Sequence, residues 1–202
     1  MKTTRFDRLA QAWDLKPERV KSAKNISAKL DELFDLEGMK ICDYGAGTGL
    51  VCFNLCEKAH SIVAMDNAQK MLDEIDKKAQ NAGIDNVHTR YHDISKEDLP
   101  EGVFDLFISS MTMHHIPDTK DFLSKAKQSL VKGGYVAIND LVREDGSFHS
   151  MGNEDVAHFG FDLDALKALF QEVDLELVSC EIVEVIEKAK DYPIFLIVGK
   201  NV

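Results

Sequence analysis

A glycine-rich run, Asp43-Tyr44-Gly45-Ala46-Gly47-Thr48-Gly49, is where this 202-residue chain most directly implies chemistry. Glycines at alternate positions allow a tight turn and let a ligand approach the backbone with no Cβ in the way. Acidic side chains stand before and after it: Asp43, Asp66 (21 residues after Gly45) and Asp93. A carboxylate at a strand end can accept hydrogen bonds from ligand hydroxyls or amino groups, although singly each of these acids also reads as a turn residue or helix cap. Further on, His114 and His115 adjoin each other, and a neutral imidazole can take a proton from an oxygen or nitrogen nucleophile near pH 7. Asp140, at the end of a β-rich run, and His149, His158 and Phe159, in the polar run 143–160 that follows, are placed to line a substrate pocket. Cys42, Cys52, Cys56 and Cys180 form no CxxC pair and sit among apolar residues, so reduced, buried thiols are expected, and no metal.

The elements that must position these residues alternate between β-rich runs and helical patterns, the signature of a parallel sheet covered on both faces. A helix is predicted over 18–36, a strand over 39–44, a helix over 48–58 and a strand over 60–66. A helix carrying Met71, Leu72, Ile75, Ala79 and Ala82 stops at Gly83. Strands follow at 87–92 and 103–111. Asp118 caps a helix with Phe122, Leu123, Ala126 and Leu130 inward. Gly133-Gly134 is predicted to turn the chain into a strand over 135–141, and Asp162 caps a last helix. The runs 175–187 and 192–200 are too close for a helical crossover, so they are predicted to form an antiparallel hairpin.

Composition narrows the function classes. At 45% hydrophobic and 8% aromatic residues, with no low-complexity tract, the chain reads as globular. Neither a membrane helix nor a signal peptide is legible, and a cytoplasmic protein is expected. The net charge of −11 disfavours nucleic acid as a partner. Residues 1–30 nevertheless carry a net +5, which reads as a solvated basic helix face or a cationic flap over an anionic ligand.

Two ligand classes use a strand–glycine loop–helix unit. Dinucleotide binders want G-x-G-x-x-G/A, but the third site counted from Gly45 is Leu50. Asp43 with G-x-G-x-G behind it instead resembles motif I of the class I S-adenosylmethionine-dependent methyltransferases. Four further segments resemble that family in order: Asp66 with Asn67-Ala68-Gln69-Lys70-Met71, Asp93-Ile94, the run Phe104 to Asp118, and Leu130 to Tyr135. The resemblance covers about 39–200 and is closest in character to the small methyltransferase type 11 members. It implies an α/β, Rossmann-like class I sandwich: a seven-stranded, mostly parallel sheet with the last strand antiparallel.

The resemblance also implies S-adenosyl-L-methionine as cofactor, with contacts at Asp43, Gly45, Ala46, Gly47, Asp66, Asn67, Met71, Asp93, Ile94, Ser109 and Ser110. Phe6 and Trp13 resemble aromatics that relatives fold over the cofactor. Ser110 departs from the Asn of many relatives, and no Asn-Pro-Pro-Tyr-like motif is present, which argues against DNA-adenine and glutamine methylation. A single domain over 1–202 is expected, with a helical cap (1–36) on a Rossmann-like core (37–202). The expected activity is methyl transfer to a small-molecule acceptor by in-line displacement, with His114 or His115 as a base for an O–H or N–H acceptor. Phe6, Trp13, Asp140, His149, His158 and Phe159 are the expected substrate contacts. Protein or RNA methylation, or cofactor binding without transfer, are the alternatives.

Overall fold

The computed structural model describes residues 4–149 and 152–202. Its seven strands form one sheet, and the chain groups into two compact units, Met1–Glu97 and Asp98–Val202. The expected cap belongs to the first unit.

That unit opens with α1 (Arg5–Leu9), started by a reciprocal cap. The Thr4 hydroxyl accepts from the Asp7 N–H and the Asp7 carboxylate accepts from the Thr4 N–H. A 3-10 turn (Ala10–Leu15) leads into α2 (Pro17–Leu33), whose first residue is proline, the position where a missing N–H costs nothing. Ala23, Ile26 and Leu30 form its buried stripe. Strands β1 (Lys40–Tyr44), β2 (Ser61–Asp66) and β3 (Val87–Tyr91) pair in parallel with β2 central.

The crossovers are α3 (Leu50–Leu55) and α4 (Gln69–Ala82). α3 starts later than the predicted 48 because Gly49, at φ +81°, keeps Thr48 and itself in the loop, and it ends at Leu55, before the predicted 58. α4 ends as expected at Gly83, a left-handed cap whose N–H reaches the carbonyls of Ala79 and Gln80.

The second unit pairs β4 (Phe104–Ser110) in parallel with β5 (Leu130–Leu141) through α5 (Thr119–Ser129), with Asp118 accepting from the Asp121 N–H as the cap. Gly133-Gly134 does not turn the chain as predicted. β5 already begins at Leu130, and the ladder shifts between Phe104 and Leu106 to absorb extra residues. Gly133 takes φ +86°, and a Cβ on Gly134 would lie 3.0 Å from the Asp105 carbonyl oxygen.

After α6 (Leu163–Glu172) the chain forms β6 (Leu175–Glu187) and β7 (Asp191–Asn201), the predicted hairpin. The sheet order is β3-β2-β1-β4-β5-β7-β6, and β7 runs antiparallel to both its neighbours. This unit's core joins Phe104, Phe107 and Ile108 of β4 with Phe122, Phe170 and the buried run Ile194–Val198.

Candidate functional site

In the first unit the glycine loop is held by its neighbours' backbone. The N–H groups of Gly45 and Ala46 both donate to the Met65 carbonyl, at 2.8 and 3.1 Å. Gly47, at φ +56°, donates its N–H to Asp66 Oδ2 at 2.9 Å, while Asp66 Oδ1 accepts from Ala68 N–H at 2.8 Å. Asp66 thus ties the end of β2 to the loop and to the start of α4. An ionised carboxylate has about four acceptor positions, and with the Asn67 N–H also directed at this one, capacity remains to meet a ligand hydroxyl. Burial raises its pKa, and the Ala68 and Gly47 N–H donors oppose that shift.

Asp43 is buried on β1 and receives the Cys52 Sγ–H at 3.0 Å. Burial is the main cause of a pKa pushed up to about 6; the Cys52 bond lowers it and the Asp66 charge raises it. A buried carboxylate in this state gains from a cationic partner. Asp93 is differently placed. It binds Ser95 N–H and Oγ at 3.2 and 2.6 Å and pairs with the Lys96 ammonium. Burial would raise its pKa, yet Lys96 and Ser95 outweigh this and leave it below the usual range. Ile94 is buried and donates its N–H to the Tyr44 hydroxyl at 2.9 Å.

The N-terminal segment closes on this loop. Asp14 accepts from the Thr48 hydroxyl at 2.5 Å and pairs with Lys78 at 2.5 Å, while Lys78 also donates to the Thr48 carbonyl. Trp13 Nε1 stands 3.9 Å from where a Gly47 Cβ would be, and the Arg19 guanidinium lies 3.5 Å over the Trp13 ring. Phe6 and Trp13 pack on a buried cluster of Ala10, Ala68 and Met71. Met71 is 1% exposed, and Asn67 is exposed.

In the second unit the chain leaves β4 through Met111, whose φ of +52° is uncommon for a side chain of this size, and forms a 3-10 turn over Met113–His115. β4 and β5 are in register at Ser110 and Asn139, so the histidines arrive beside Asp140. The buried Asp140 faces His114 Nδ1 at 2.7 Å through Oδ1 and accepts the His114 N–H through Oδ2 at 3.1 Å.

The run after β5 folds back onto this turn. Ala157 and His158 N–H donate to the His114 carbonyl, and His158 Nε2 reaches the Ile116 and Pro117 carbonyls. The base of the run is stitched by Arg143 to Phe161, Glu144 to Phe159 and Phe161 to Leu141 backbone bonds. His149 Nε2 lies 3.2 Å from His114 Nε2, and His115 Nδ1 lies 2.6 Å from the Asp155 carbonyl. Desolvation, with His114 adjacent, lowers the His115 pKa to about 4.

The predicted residues therefore fall into two groups. Asp43, Gly45, Ala46, Gly47, Asp66, Met71, Phe6 and Trp13 gather around the glycine loop. His114, His115, Asp140, His149 and His158 gather around the turn after β4. Ser110 bonds Asn139 Oδ1 at 3.0 Å, Ser109 Oγ is buried with no partner among the described residues, and Phe159 is 43% exposed. Sequence reasoning missed the Asp140–His114 contact and the Asp14–Thr48–Lys78 latch. The first had a signal, since a His pair and an Asp follow adjacent parallel strands; the latch had none.

The methyltransferase domain family matches residues 35–197. An uncharacterized methyltransferase of Schizosaccharomyces pombe is 29% identical over 152 residues, covering 68% of this chain and 54% of the relative. Aklanonic acid methyltransferase DauC of a Streptomyces strain is 29% identical over 114 residues, covering 55% of this chain and 52% of the relative. The chain thus spans about half the length of these curated relatives. A solved SAM-dependent methyltransferase of Aquifex aeolicus superposes with a TM-score of 0.68 at 20% identity, over 93% of this chain and 99% of that one.

Proposed function

Because the chain belongs to the methyltransferase domain family and carries the class I fold of the S-adenosylmethionine-dependent methyltransferases, we propose that it transfers the methyl group of that cofactor to a small-molecule acceptor, as a single domain. The observation that carries the reading is the loop itself: a glycine turn bonded to the Asp66 carboxylate, with the buried Asp43 carboxyl on the preceding strand. These groups fit the ligand's chemistry. Asp66 keeps acceptor capacity for a ribose hydroxyl. Asp43 suits an ammonium group, because a cation relieves the cost of ionising a buried carboxylate.

S-adenosylmethionine supplies an electrophilic methyl group on a sulfonium. The chain's part is to bind, orient and exclude water, which is where most of the rate of such a displacement resides. Trp13 and the Asp14–Thr48–Lys78 latch are the closing elements over the glycine loop. On the acceptor side, His114, His115 and His149 are the groups that handle an acceptor proton, with Asp140 fixing the His114 ring. Phe159 offers an exposed apolar side chain on that loop. A small acceptor is supported by the name of the aklanonic acid methyltransferase and by the acidic net charge of −11, which opposes a polyanionic partner. Four free cysteines suit a reducing compartment such as the cytoplasm. No helix among the described residues is long and apolar enough to cross a membrane.

Calorimetric titration with S-adenosylmethionine, S-adenosylhomocysteine and NAD tests the reading. Saturable binding of the first two and not NAD is expected, weakened at least tenfold by Asp66→Ala. Binding of NAD alone, or of none of the three, sinks it. Incubation with radiolabelled cofactor and a fractionated metabolite extract then shows whether label enters the small-molecule fraction.

A further inference from the structure

We infer that His114, His115 and His149 form a three-imidazole site for a divalent transition-metal ion of the zinc class. One ring nitrogen from each residue lies within 4.8 Å of those of the other two. Of these, His114 Nε2 and His149 Nε2 are 3.2 Å apart. Four-coordinate zinc, with Zn–N bonds of about 2.0–2.1 Å, separates neighbouring ligand nitrogens by about 3.3 Å. The pair therefore already has the spacing of two corners of a coordination tetrahedron. The third ring contributes a nitrogen within 4.8 Å of both, close enough to complete the face.

The surroundings match as well. A metal-bound histidine usually gives its other ring N–H to a carboxylate or a backbone carbonyl, which fixes the tautomer and aims the lone pair at the ion. His114 Nδ1 faces the buried Asp140 carboxylate at 2.7 Å, and His115 Nδ1 faces the Asp155 carbonyl at 2.6 Å. With those protons on Nδ1, both neutral rings present a lone pair at Nε2. Two different outer partners, one from β5 and one from the loop beyond it, thus set two rings in the donor state. His149 comes from that same loop, whose base is pinned by the backbone bonds of residues 141–144 to 159–161.

The donor set selects the ion. Three neutral nitrogens with no oxygen among them suit Zn(II), Co(II), Ni(II) or Cu(II), and are poor ligands for Mg(II) or Ca(II). Three protein ligands leave a position for water or for an oxygen of a small molecule, the arrangement of reactive rather than purely structural zinc sites. The site stands independently of methyl transfer. What it adds to that activity rests on the proposed function: with the ion bound, the metal rather than the free imidazoles would handle the acceptor proton, since an acceptor oxygen at the open position would lose its proton at a lower pH.

The test uses protein without a histidine tag, stripped with chelator and titrated with cobalt(II) chloride in the absence of S-adenosylmethionine. One equivalent should bind, with the intense visible bands of a four-coordinate ion, and zinc should displace it. Changing an outer partner of a metal-bound histidine costs about 10–100-fold in affinity, so losing a ligand should cost more. His149→Ala and His115→Ala should each weaken binding at least 100-fold while keeping a cooperative melt. His88→Ala, on the exposed face of β3, should bind as the parent does. Absence of saturable binding by the parent protein, or undiminished binding by folded His149→Ala, overturns the site. Neither result depends on whether the cofactor titration succeeds.

Discussion

Asp43 sets function against stability at one side chain. Its pKa of about 6 lies above the ordinary 3.8, so the folded chain holds this proton more tightly than the unfolded chain does. The associated stabilisation is complete below pH ~4 and is lost as pH rises through ~6. At neutral pH the ionised group therefore costs the fold up to about 3 kcal/mol until a cation meets it. Asp43→Asn should raise the melting temperature of the ligand-free protein at pH 7 and weaken S-adenosylhomocysteine at least tenfold. Calorimetry of both forms checks the two signs together, and a variant that lost both stability and affinity would refute the assignment. For the unaltered protein, affinity should fall as pH drops through ~6.

Residues of this kind were legible from sequence because each stands at a strand end, and strand ends are marked by apolar runs meeting glycine or acid. His114 was legible as a candidate, and Asp140 had a signal in its place after the adjacent strand, but the pairing itself was not legible. The Asp140 contact depends on the Ser110–Asn139 register, and His149 comes 35 residues later with no ligand spacing to betray it.

Among elements, the loop after β5 depends on Gly160. At φ +70°, a Cβ there would meet the Val142 carbonyl oxygen at 2.3 Å, a backbone contact that cannot swing away. This close approach forms the Val142–Phe161 bridge that shuts the loop carrying His149 and Asp155. Gly160→Ala should destabilise the protein by about 2–4 kcal/mol in urea titration. It should also raise hydrogen exchange across 143–161 more than in β1–β3. Sequence patterning found every strand and the caps Asp118, Gly83 and Asp162, since these follow from local chemistry. It failed at Gly133-Gly134, read as a turn, because a bulge inside a ladder and a turn before a strand use the same residues. The 3-10 turns and the latch of Asp14 on Thr48 escaped it because they are set by packing and by partners distant in sequence.

At the scale of the whole molecule, the sheet ends at β6, whose outer residues alternate awkwardly. Val178, Ile182 and Val185 are exposed apolar side chains, with Glu176, Glu181 and Glu187 exposed among them. Charges on an edge strand discourage pairing with another copy. Replacing Glu181 and Glu187 with Thr should therefore produce concentration-dependent self-association, read by light scattering, with little change in the melt. A variant that stays monodisperse at high concentration would show that the edge is protected otherwise.

The place of β7 also bears on how the protein is made. β5 is complete at Leu141, but the strand that pairs with its far edge does not begin until Asp191, and β6 is made first although it lies further out. A ribosome adding about 5–20 residues per second therefore leaves that edge open for several seconds. During that interval β6 has no sheet to join, and the β6–β7 hairpin must enter as a finished piece. Translation pauses within residues 142–190 would prolong this exposure, whereas pauses in the first unit would not. Nascent chains arrested in that window should be the ones that bind chaperones most strongly.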